Sequence, residues 1–139
     1  MGIKKLLIIA SIIGVISLCI IGCTPEPVSI ESITLCKNID SYSAPVDPVK
    51  EFPSGISVFF ISVKINNMTT EDKITVVWNY LETDYELATQ YSKEGISGSS
   101  GYLSFSLKPK NDPSFPSGNY NALVYLNDEL YETVDFSVK

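Results

Sequence analysis

Glu82, Asp84 and Glu86 crowd one predicted turn, and they are the residues of this chain best spaced for chemistry. Paired carboxylates can cleave glycosidic bonds, and three together could hold a hard cation such as Ca²⁺. Calcium loops carry a denser ligand pattern with a positioned Gly, which is missing here, so a solvated acidic turn is the expectation. The 139 residues contain no His. That removes Ser/His/acid and Cys/His nucleophiles and every His-containing zinc site. Of the cysteines Cys19, Cys23 and Cys36, only Cys36 falls within the expected folded domain. A small buried hydrophobe is the expected role for it, with a reactive or intermolecularly paired thiol as the alternative. The chain is read as non-enzymatic, with no cofactor and no metal.

The remaining chemistry lies at Cys23. Lys4-Lys5 precedes the apolar run Leu6–Ile21, whose 16 residues fall short of the ~17–25 that a spanning helix needs. A basic start, a short apolar core and a small residue before the cut describe a secretory signal. Ile20-Ile21-Gly22-Cys23 resembles the lipobox of prokaryotic lipoproteins. The resemblance implies that Cys23 receives a diacylglyceryl group and becomes the new N-terminus; two acyl chains would then anchor firmly where one is marginal. An uncleaved membrane anchor is the alternative. Both readings put the remainder outside the cytoplasm, at the cell membrane or the outer membrane. Thr24 is not the Asp that, by the same resemblance, retains lipoproteins at an inner membrane.

The expected organisation is a signal peptide over 1–22, the lipidated Cys and a Pro-containing linker over 23–29, and one domain over 30–139. Without residues 1–22 the chain has 117 residues, enough for one core and too few for two. Its formal charge of −6 becomes −8, with 8 Lys against 16 acids and no Arg. Nucleic acid is disfavoured, since phosphate binding needs a basic footprint. An acidic domain also stands off anionic head groups.

The domain reads as strands separated by turn signals. Expected strands are 30–39, 56–66, 73–81, an edge strand 85–92, 102–107, 119–126 and 130–138, with a Pro-punctuated loop over 41–55 and a flexible tip over 95–101. Phe59, Ile61, Val63 and Ile65 share one face of the second strand, and Ile74, Val76, Trp78 and Tyr80 one face of the third. Asn67-Met68-Thr69 is a glycosylation sequon expected on a loop, and an unused one.

In the final hairpin, Tyr120, Ala122, Val124 and Leu126 form one inward set, and Val134, Phe136 and Val138 another. A one-residue slip would flip every side chain. A two-residue loop at Asn127-Asp128 pairs Ala122 with Thr133 and is excluded on that ground. A three-residue loop over 127–129 pairs Ala122 with Val134 and Tyr120 with Phe136, and sets Tyr125 opposite Tyr131 on the outer face. Glu132 then points inward, so its carboxylate must escape at the rim or through a bulge.

About seven such strands predict an all-β, antiparallel β-sandwich. Trp78 in Val76-Val77-Trp78-Asn79-Tyr80 resembles the buried Trp of the third strand of immunoglobulin-like domains. Pro116-Ser117-Gly118-Asn119-Tyr120-Asn121-Ala122 resembles a tyrosine corner, with Ala122 where antibody domains carry a Cys. With Pro45-Val46, Phe52, Gly101-Tyr102-Leu103-Ser104-Phe105 and Phe136-Ser137-Val138, the chain resembles small immunoglobulin-like sandwich domains of prokaryotic surface lipoproteins. That resemblance implies fold and location and no functional residue.

A binding function is expected on the outer face, where Val77, Leu81, Leu123, Tyr125 and Tyr131 project on neighbouring strands. Contiguous exposed apolar surface marks interaction sites. Coverage by the loop 41–55 is the alternative. The expected function is therefore a lipid-anchored module for a protein or glycan partner, or else a structural spacer, the two being distinguished by whether the face is exposed.

Overall fold

The computed structural model describes Gly22, residues 24–92 and residues 99–139. Cys23, with the apolar segment before it, lies outside the described residues, as does most of the expected tip at 95–101. The described chain is all-β: β1 (Ser29–Ile39), β2 (Pro45–Pro48), β3 (Glu51–Phe52), β4 (Phe59–Met68), β5 (Ile74–Tyr80), β6 (Tyr85–Tyr91), β7 (Ser99–Leu107), β8 (Gly118–Leu126) and β9 (Glu129–Val138). One sheet runs β2-β1-β4-β7 and the other β3-β9-β8-β5-β6.

The two-residue period decides the core. Phe59, Ile61, Val63 and Ile65 of β4 are buried against Ile74, Val76 and Trp78 of β5 and Tyr120, Ala122 and Val124 of β8. Phe59 lies at the centre, stacked on Phe115 at 3.8 Å and 13° and edge-on to Phe136 at 4.9 Å. Tyr120 donates its hydroxyl hydrogen to Pro116 O, four residues back, which completes the tyrosine corner. Burial, reinforced by Tyr80, pushes its phenol far above the ordinary range. One seam between the sheets is closed by polar contacts: Trp78 Nε1 donates to Gln90 Oε1 at 2.9 Å, and Gln90 Nε2 to Ser106 O at 2.7 Å.

Two strands fall within the predicted loop 41–55. β2 pairs with β1 as an edge strand bounded by Pro45 and Pro48, positions where a missing N–H costs no ladder bond. β3 pairs parallel with β9 and buries Phe52 completely. The sequon also sits differently from expectation: Asn67-Met68 closes β4, Met68 lies in the core, and Asn67 Nδ2 bonds Glu26 Oε2 at 3.4 Å.

The β8–β9 hairpin has the predicted register, with Ala122 opposite Val134 and Tyr120 opposite Phe136, but reaches it by another route. Its loop is the two-residue Asn127-Asp128, with φ of 49° and 67°. Left-handed conformations at both residues match the right-handed twist of the flanking strands. A bulge restores the register, since Tyr125 faces Leu130 while Val124 faces Glu132, leaving Tyr131 as the extra residue. Tyr131 therefore does not lie beside Tyr125. Its hydroxyl donates to Ile30 O on the other sheet at 3.0 Å.

Candidate binding face

Outward positions of the five-stranded sheet form cross-strand rows. Tyr91, Thr75, Tyr125 and Leu130 make one row through β6, β5, β8 and β9. The next row is Thr89, Val77, Leu123 and Thr133, and the third is Glu86, Asn79, Asn121 and Asp135. Directly opposed residues are side-chain neighbours on one face, so Val77, Leu123 and Tyr125 are brought together, extended by Tyr91 and Leu130. Tyr91 is 61% and Leu130 53% exposed.

Two of the predicted residues stand apart. Leu81 lies beyond the polar row, where Asn79 Nδ2 donates to Asn121 Oδ1 at 2.9 Å. Tyr131 is diverted to β1 by the bulge. Conversely, sequence reasoning missed Tyr91 and Leu130. Tyr91 could be placed only once the β5–β6 register was known, and Leu130 is set outward by the bulge. An Asn127-Asp128 dipeptide suited to left-handed turns was the available signal for the second.

The row is held from one end. Lys73 Nζ lies 2.8 Å from Asp128 Oδ1 and 5.6 Å from the Tyr91 ring centroid. The Asp128 carboxylate raises the Lys73 ammonium above its usual value. Asp72 accepts from Asn127 Nδ2 at 2.9 Å, and this bond holds its carboxyl below the usual range. Thr75, between Tyr91 and Tyr125, is only 7% exposed although it faces outward, and its hydroxyl has no hydrogen-bond partner among the described residues.

The predicted cover over this face lies elsewhere. The 40–46 segment is tied by Asp40 Oδ1, which accepts from the N–H groups of Tyr42 and Ala44, and it folds onto the four-stranded sheet. There Ser62 Oγ donates to Ser43 O at 2.6 Å and Ser104 Oγ bonds Ser43 Oγ at 3.1 Å. Cys36, on the same outer face, is completely buried, and burial pushes its thiol upward and away from the reactive thiolate.

The acidic turn is spread out. Glu82 Oε1 accepts from Asn119 N at 2.9 Å and Asn119 Nδ2 at 3.0 Å. It crosses Gly118, where φ is 140° and an added Cβ would stand 2.6 Å from Glu82 Cγ. Glu86 accepts instead from Thr89 Oγ1 at 2.6 Å, and Asp84 occupies the turn with φ 50°. Among the described residues, no three Asp, Glu, Cys or His side chains group as metal ligands.

The fold agrees with known structures. An immunoglobulin-like protein from Pseudomonas aeruginosa is similar with a TM-score of 0.60 at 12% identity, over 84% of this chain and 99% of the other. A DNA-bound alkylpurine DNA glycosylase from Pseudomonas fluorescens is similar with a TM-score of 0.51 at 12% identity, over 81% of this chain but 30% of the enzyme. No protein-family model and no curated protein sequence matches. The class is therefore an immunoglobulin-like antiparallel β-sandwich; likeness at this identity carries the fold and no activity.

Proposed function

We propose that this protein is a lipid-anchored, extracytoplasmic binding module that takes a protein or glycan partner on the outer face of its five-stranded sheet and performs no catalysis. The observation that carries the reading is the apolar row Tyr91–Tyr125–Leu130 with Val77 and Leu123, which the 40–46 segment leaves uncovered. Tyr is enriched at recognition surfaces because it combines large contact area with few rotors. Exposure of this face favours binding over the spacer reading. Anchoring rests on Gly22-Cys23 after the short apolar run, with β1 beginning at Ser29 and the domain thus held close to the bilayer.

In-cell photocrosslinking from position 123 tests the binding. A discrete crosslinked partner, lost when Tyr91→Ser and Leu130→Ser are combined and retained in the Glu82→Gln, Asp84→Asn, Glu86→Gln triple variant, is the expected result. Loss in the triple variant alone would return the function to the carboxylates. Anchoring is tested separately by metabolic labelling with a fatty acid: the label should mark the protein and disappear in Cys23→Ser.

A further inference from the structure

The flank between β1 and β9 holds a cleft of about 550 Å³ lined by Ile33, Val49, Lys50, Glu132, Val134 and Asp135, among others. β9 is an edge strand there, because β3 meets only Ser137 and Val138. Ser137 N donates to Lys50 O at 3.1 Å, away from β8. Backbone groups alternate in direction along a strand, so the N–H and C=O groups of Thr133 and Asp135 point the same way, and no strand pairs with them among the described residues. On the other wall, Leu35 O accepts from Val49 N, which by the same alternation turns the backbone of Ile33 into the cleft. Half-buried Ile33 and Val134 expose apolar surface beside these free groups.

We propose that the β9 edge receives an extended, basic peptide by strand addition. Its main chain pairs with Thr133 and Asp135, alternate apolar side chains enter the cleft beside Ile33 and Val134, and its Lys or Arg residues, on the opposite face of the added strand, meet Asp135. Strand addition draws affinity from main-chain bonds and specificity from alternate side chains. Charge selects the occupant: among the described residues neither Glu132 nor Asp135 has an ion-pair partner, and Lys50 is the one cation lining the cleft. A second copy of this chain is the wrong occupant. Pairing β9 with β9 would set these acids against each other, the arrangement that protects edges from self-association. The site is separate from the outer face and does not depend on the function proposed for it.

The test uses the full chain in mild detergent and a nine-residue peptide of alternating Lys and Val. Binding should slow hydrogen exchange at the Thr133 and Asp135 amides at least tenfold. Of two peptides N-methylated at all Lys or at all Val positions, one should lose at least tenfold in affinity and the other keep it, since only one set of amides faces β9. Replacing Lys by Glu in the peptide, or Asp135→Lys in the protein, should also cost at least tenfold, whereas Leu130→Ser should bind unchanged. Equal binding by both N-methylated peptides, absence of protection, no binding at millimolar peptide, or peptide-free dimers protecting the same amides would overturn the proposal.

Discussion

The two outer faces of this sandwich are treated in opposite ways. On the four-stranded sheet, Cys36 and Ser62 point away from the core yet are buried, because the 40–46 segment folds over them and Ser43 bonds both Ser62 and Ser104. On the five-stranded sheet, Tyr91 and Leu130 are equally outward and remain open to solvent. A loop covers Cys36 and polar serines, while Tyr91 and Leu130 stay open and Tyr125, Val77 and Leu123 beside them are half-buried. Hydrophobic burial alone would favour the reverse, since covering apolar area gains roughly 25 cal/mol per Å². The difference is the observation that supports the binding face proposed above.

Substitutions sharpen this comparison, beginning with what the two sheets share. Trp78→Ala should cost about 3–5 kcal/mol by lost transfer energy plus a cavity, measured by denaturant unfolding. It should also leave Gln90 without its donor. Tyr120→Phe should cost about 1–3 kcal/mol, because Pro116 O loses a buried partner. Next come the faces themselves. Ser62→Ala on the covered face should cost about 0.5–1.5 kcal/mol for its bond to Ser43 O. Leu130→Ser on the open face should stay within about 0.5 kcal/mol. Equal costs at Ser62 and Leu130 would mean that the two faces do not differ.

The smallest expected effect depends on pH. Asp72 has its carboxyl lowered chiefly by the Asn127 hydrogen bond, so its contribution is present above the ordinary value of 3.8 and is lost as pH falls through the lowered value. Unfolding of Asp72→Ala and of the unmodified protein should therefore differ at neutral pH and converge in acid. A gap that is constant down to the lowest pH would remove Asp72 from the support of the Asn127-Asp128 turn.

How much of this was legible in sequence can be judged at single residues. The alternation around Phe59–Ile65 and Ile74–Trp78 marked the inner faces without knowledge of any partner strand, because a two-residue period is a local property. Tyr120 was identifiable from its spacing to Pro116, and the Ala122–Val134 pairing followed from keeping both apolar sets inward. The same logic failed at the hairpin tip. A three-residue loop and a two-residue loop with a bulge produce the same register beyond Glu132, and they differ only in where Leu130 and Tyr131 point.

Sequence by itself thus determined the strand class, the inward faces of β4, β5 and β8 and the acidic, His-free chemistry, since burial alternation and composition are carried by each segment alone. Phe52 and Met68, by contrast, joined the core only through their strand pairing. Tertiary structure decided which outer face the 40–46 segment covers, that Tyr91 joins Tyr125 while Leu81 does not, and that Tyr131 reaches Ile30. Each of those outcomes depends on contacts between segments far apart in the chain. Their order is set by sheet pairing and loop closure, which no local pattern encodes.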